Sequence, residues 1–168
     1  MKHVLASLAL LLPVAAFAAD ATPDADFYKH AAEGGIAEID AANLAQQKSS
    51  NQSIKDFAAT MVKDHSAAND KLKSIAASKN ISLPTSASVG QMATKAKLEV
   101  LSGDTFDHSY IRAMIKDHRQ AAALFKKEAT TGQDPDAKSF AAATLPTIRA
   151  HLKMINSIAS ASGVSADK

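Results

Sequence analysis

The stretch Met61-Val-Lys-Asp-His65 returns as Met114-Ile-Lys-Asp-His118, 53 positions further along the chain (61 to 114). The echo is wider than those five residues: Phe57 matches Tyr110, Ala68 matches Ala121, Leu72 matches Phe125 and Ala76 matches Ala129. In both copies the apolar residues recur at steps of three and four, which puts them on one face of a helix. The same amphipathic helix is therefore used twice, each time with a histidine on its apolar stripe. No segment alternates apolar and polar residues with the period of two that a half-buried strand requires. The expectation is an all-α chain.

Four long amphipathic stretches can be drawn. The first spans about 26–48, with Phe27, Ala31, Gly34, Glu38, Ala41 and Ala45 on its stripe. The second spans about 53–79 after the break Ser49-Ser50-Asn51, and Asn80 to Ser88 with Pro84 reads as a loop. A shorter helix follows over about 88–101. Asp104 is the expected cap of the third long helix, which ends before Gly132. Asp134-Pro135 is a cap followed by proline at the first helical position, opening a fourth helix to about Ser160. Pro146 lies inside that helix and should bend it. Long helices with short connections predict an antiparallel four-helix bundle. Short loops favour up-down-up-down order, and the longer connection from Asn80 to Gly103, which carries the short extra helix between the second and third long ones, leaves a crossover open.

The N-terminus reads as an export signal. Lys2 and His3 precede an apolar run from Val4 to Phe17, and Ala16-Phe17-Ala18 supplies small residues for cleavage after Ala18. The expected organisation is a signal peptide over 1–18, a short segment over 19–25, a helical domain over 26–160 and a frayed tail over 161–168. The expected location is periplasmic. No cysteine is present, which excludes a lipid-bearing cysteine and any disulfide. Lys and Arg (19) nearly balance Asp and Glu (17) and are interleaved with them. That excludes a nucleic-acid footprint and a polybasic membrane patch. No membrane-spanning segment is expected in the mature chain. The Ala-rich outer faces would admit a homodimer, and the sequence names no other partner.

Glu38, His65, His118 and His151 each fall on the apolar stripe of a different long helix. Counted from the expected helix ends, and with those ends lying together, the four side chains come within roughly two turns of one level at about 1.5 Å per residue. A core gains nothing from a carboxylate and three imidazoles left unpaired, at a cost of a few kcal/mol each. They must pair with one another, with water or with an ion. Three histidines and a glutamate suit one divalent transition-metal ion: zinc, iron, manganese or copper. Asp64 and Asp117 precede the repeated histidines and point about 100° away from them, so each is expected to face a neighbouring helix as an acceptor behind a metal ligand. Met61 and Met114 lie one turn before His65 and His118, and Met154 lies three residues after His151. They read as core filler, with Met61 expected on the opposite side of the histidine layer from the other two. Glu128, ten residues past His118, lies too far along its helix to join the layer. His30 and His108 are expected near the surface.

Glu33-Gly34-Gly35, the helix from Phe57 to Asp64-His65 with Asn69, the helix from Phe106 through Asp117-His118 to Glu128, and Phe140 through Leu145-Pro146 to His151 form an ordered set. In that set the chain resembles a bacterial family of exported, ferritin-like helical proteins labelled a domain of unknown function. The resemblance implies a ferritin-like fold and export, and no activity. The chain departs from the di-iron pattern, which needs a Glu-x-x-His pair on each of two helices. Val62 and Ile115 stand three residues before His65 and His118, and a single carboxylate lies in the layer. Two readings follow. One is a non-catalytic envelope or stress-related protein whose His, Glu and Asp groups form a buried hydrogen-bonded layer. The other is a single-ion protein using Glu38, His65, His118 and His151. An enzyme is disfavoured: there is no cysteine nucleophile, no Gly-x-Ser-x-Gly elbow, no phosphate-binding glycine loop and no His-Glu-x-x-His.

Overall fold

The structure, a computed structural model, describes residues 24–165. The leader expected over 1–18, most of the segment 19–25 and the last three residues lie outside the described residues. Five helices and no strand are found among those described: α1 (Ala25–Lys48), α2 (Gln52–Ser78), α3 (Val89–Glu99), α4 (Gly103–Thr131) and α5 (Pro135–Ala161). No boundary departs from the sequence expectation by more than two residues, because the chain marks its own helix ends. Asn51 caps α2 by accepting from the Ser53 and Ile54 amides at 2.9 and 3.4 Å. Ser88 and Gln91 form a reciprocal capping box at the start of α3. Asp134 caps α5 by accepting from the Asp136 amide, with Pro135 in the first turn. One cap is corrected. α4 opens at Gly103 behind Ser102, and Asp104 lies within the first turn. Gly103 takes φ +54°, a turn that glycine alone makes without strain, and the helix starts two residues early.

Packing fixes the direction of each helix. One apolar cluster joins the end of α1 (Ala41, Ala42, Ala45), the start of α2 (Ile54, Phe57), the start of α4 (Phe106, Tyr110) and the end of α5 (Ile155, Ala159). The other joins the start of α1 (Phe27, Tyr28), the end of α2 (Leu72, Ala76), the end of α4 (Phe125) and the start of α5 (Phe140, Ala141). The first cluster is called upper and the second lower. α1 and α5 thus run upward while α2 and α4 run downward. α3 carries the chain back up beside α1, where the Lys48 ammonium reaches the Glu99 carbonyl. The favoured up-down-up-down order is therefore corrected to up, down, down, up. The reason is α3: the connection is long enough to climb the molecule, so α4 restarts from the upper end.

Val164, inside the tail expected to fray, is buried against the upper cluster, and its amide bonds the Ala159 carbonyl. Gly163 at φ +64° makes the reversal that puts it there. α5 continues through Pro146, which lies on its exposed side. No described helix is long and apolar enough to cross a membrane.

Candidate metal centre

Between the two clusters lies a polar level. His65 on α2, His118 on α4 and His151 on α5 converge there. Their ring centroids are 5.8 Å (65 to 118), 5.4 Å (65 to 151) and 5.5 Å (118 to 151) apart. One ring nitrogen from each lies within 4.8 Å of the others. Three separate helices deliver them because each histidine sits near the middle of its own helix. Helices that cross at mid-length meet there whichever way they run. Convergence thus survives the corrected topology, although the expected helix ends do not lie together.

Hydrogen bonds set the tautomers. The His118 Nδ1–H donates to the Met114 carbonyl at 2.9 Å, one turn back on its own helix. A carbonyl only accepts, so the proton is on Nδ1 and Nε2 carries the lone pair. The His151 Nε2–H donates to the Asp64 carboxylate at 3.0 Å across the α2–α5 interface, which leaves the lone pair on Nδ1. The His118 Nε2, the His151 Nδ1 and the His65 Nε2 are all buried without a hydrogen-bond partner. Burial, with His118 and His151 close by, pushes His65 down to about 3. Burial likewise pushes His118 down to about 4, against the upward pull of the Met114 carbonyl. Neither ring takes a proton at neutral pH. Three imidazoles brought this close, each with a buried ring nitrogen that has no partner, fit a bound metal ion.

Glu38, expected as a fourth donor, stands outside the three-nitrogen set. Its Oε1 lies 3.4 Å from the His118 Nδ1, on the far side of that ring from Nε2. Burial, reinforced by Asp117, holds the Glu38 carboxyl well above the usual carboxylate range. With the His118 ring neutral and its Nδ1–H given to the Met114 carbonyl, this contact is not an ion pair. Asp64 does face another helix's imidazole, as its position in the sequence predicts. Asp117 does not: its field falls on Glu38, and burial raises its own carboxyl despite Lys116 nearby. The internal repeat accounts for this. α2 and α4 run parallel, so their matched aspartates face matched positions on α5 and α1. One position holds His151 and the other Glu38.

Met61 and Met114 are both fully buried in the upper cluster, on the same side of the histidines. That corrects the expectation of opposite sides and follows from α2 running parallel to α4. Met154 is an exposed residue rather than core. His30 is exposed and His108 half-buried. Glu128 lies at the lower end against Gly132, where burial and Asp24 raise it to about 7. Sequence reasoning passed over Tyr110 as a polar group. Its hydroxyl is buried without a partner, and burial followed by the charge of Glu38 pushes it well up. The available signal was the repeat itself, which replaces Phe57 by a residue with a hydroxyl.

Residues 11–158 match the family described as Domain of unknown function (DUF4142). No curated protein matches the chain. Among solved structures, the chain is similar to a DUF305 protein from Streptomyces coelicolor, with TM-score 0.74, 12% identity, and 86% of this chain and 95% of that one covered. It is similar to a DUF305 fragment from Deinococcus radiodurans, with TM-score 0.72, 14% identity, and coverage of 82% and 95%. It is also similar to CopM in the Cu(I)-bound form, with TM-score 0.69, 19% identity, and coverage of 83% and 97%. At these identities the likeness is one of fold.

Proposed function

We propose that this chain, which belongs to the DUF4142 family, is an exported, non-catalytic protein that holds one transition-metal ion between His65, His118 and His151. The observation that carries this reading is three imidazoles from separate helices that bring one ring nitrogen each within 4.8 Å of the others, every ring also having a buried nitrogen without a hydrogen-bond partner. A hydrogen-bonded layer without an ion is the weaker reading, since none of those nitrogens is bonded to a protein donor. Asp64 holds the His151 ring in the tautomer that aims its lone pair inward, and the Met114 carbonyl does the same for His118. Glu38 buttresses His118 from behind.

Copper(I) is the ion we favour, on the charge of the site and on a fold neighbour. Desolvating an ion costs more the higher its charge, and no carboxylate stands in the three-nitrogen set to offset a second positive charge. Imidazole suits zinc as well as copper, so the three rings alone do not choose between them. CopM, the fold neighbour solved in the Cu(I)-bound form, gives this choice a precedent in the same architecture. The up-down-down-up order with one long crossing connection is that of ferritin-like bundles, and we assign the chain to that architecture. Export rests on the leader read over 1–18.

The test is elemental analysis of the mature protein, as isolated from the periplasm and after anaerobic reconstitution with copper(I) and, separately, zinc, iron and manganese. One copper per chain, lost in His118→Ala and His151→Ala variants that keep their helical circular dichroism, supports the reading. A wild-type chain that retains no ion after reconstitution overturns it.

A further inference from the structure

The two sides of the histidine level are built differently. One turn above it stand Met61, Met114 and Ile155, all at 1% exposure or less. One turn below it the same helices and α1 place Gly35, Ala68, Ala121 and Ile148. On α2, α4 and α5 large side chains stand above the histidines, whereas Ala68 and Ala121 leave space below them and Asn69 takes the room beside Gly35. That space is a cleft of about 460 Å³ whose lining includes the buried Glu38 and, of the three imidazoles, His65 alone. Its walls are largely apolar (Leu72, Leu124, Phe125, Phe140), and its mouth carries Glu33, Gln91, Lys116 and Gln120. The Gly34-Gly35 pair, to which the metal site gives no role, belongs to this wall. A Cβ on Gly35 would lie 1.9 Å from the Asn69 Oδ1, so the missing side chain is what lets Asn69 lie against α1.

Resting on the metal reading above, the geometry points to a second occupant. The cleft binds a small, largely apolar molecule that carries one lone-pair donor at its inner end, and that donor completes the coordination of the ion. The size is that of a small-molecule site, and so is the balance of apolar wall and few polar groups. Three protein ligands leave an ion coordinatively open. The lower side is where the described residues leave room, and His65, the least buried of the three imidazoles, lies on the boundary between ion and cleft.

The test uses the copper(I)-loaded mature chain under anaerobic conditions, with its copper content measured in every sample. 4-Phenylimidazole and imidazole serve as probes that share a donor and differ in the apolar body. Isothermal titration is expected to show 4-phenylimidazole binding at least about tenfold tighter. X-ray absorption at the copper edge is expected to show one added nitrogen neighbour. Ala121→Leu, which fills the space under His118, is expected to erase the phenyl advantage. If that variant does not fold, the two probes on the wild-type chain decide alone. Equal affinities, or no added neighbour, on a loaded chain overturn the proposal and leave the metal reading intact. Equally tight binding of 4-phenylimidazole to the ion-free chain overturns the coordination claim. A chain that loads no copper overturns both readings.

Discussion

Asp64 is the residue whose role is most sharply defined by its contact. It accepts from the His151 Nε2 at 3.0 Å, while the opposite ring nitrogen is buried without a partner. Asp64→Asn keeps all three ring nitrogens but weakens the group that fixes the His151 tautomer. The expected result is an ion affinity about 10–100-fold lower, read by competition against a chelator of known affinity. An unchanged affinity would reduce Asp64 to a surface acid. pH separates the histidines from Glu38. In the unfolded chain His65 and His118 protonate as pH falls through about 6.5. In the folded chain they resist until about 3 and 4. The unfolded state binds more protons across that window, so the stability they contribute is full above about 6.5 and drains as pH falls toward the folded values. Glu38 has the opposite sign. Its folded value is raised above 4.5, so its contribution is present at lower pH and is lost as pH rises through the folded value. Glu38→Gln in the ion-free chain is expected to raise the melting temperature at about pH 8 and to change it little at about pH 4. A melting temperature that falls in this variant at both pH values would show that the carboxyl is held by a bond not accounted for here.

At the scale of the helix, adjacent glycines on α1 make opposite predictions. Gly34 has its nearest neighbour, the Gln91 amide nitrogen, 3.9 Å from where a Cβ would stand. Gly34→Ala therefore gains helix propensity without a clash and should stabilise the chain by about 0.5–1 kcal/mol. Gly35→Ala puts its methyl into the Asn69 side chain. Displacing that side chain should cost about 1–3 kcal/mol, as overpacking does, set against the same propensity gain. Urea unfolding of both variants and of Gly35→Ala/Asn69→Ala checks the argument. Recovery in the double variant is expected, and a Gly35→Ala as stable as wild type would mean that Asn69 swings aside freely. These elements were legible from the sequence because helix ends are local. Asn51, the Ser88–Gln91 box and Asp134-Pro135 act within one turn of themselves. The α4 start departs from the sequence expectation because Gly103 decides it through a backbone angle rather than through a side chain.

For the molecule as a whole, an ion that binds only the folded chain adds its binding free energy to stability. At a free-ion concentration a hundred times the dissociation constant this is about 2.7 kcal/mol, or roughly 5–11 °C in melting temperature for a chain of this size. Scanning fluorimetry with copper(I) buffered over a range of free concentrations should show a rise that follows the logarithm of free ion. The rise should be absent in His118→Ala. A concentration-independent melting temperature in the wild type would place the ion on the unfolded chain as well, or nowhere.

The sequence by itself determined the helices, their ends and which residues face inward, because periodicity and capping act over a few residues. It also brought Glu38, His65, His118 and His151 to one level, since each lies near the middle of its helix. Only the tertiary structure decided how those helices run past one another. α3 climbs the molecule and sends α4 downward beside α1, and that sense cannot be read from any one helix. Direction then settled the rest. It put Met61 and Met114 on one side and Ala68 and Ala121 on the other, and it turned Asp64 toward an imidazole but Asp117 toward a carboxyl. It also left Glu38 behind His118 rather than beside it. Which atoms of a side chain meet is set by the packing of whole helices, and that packing is a property of all four long helices at once.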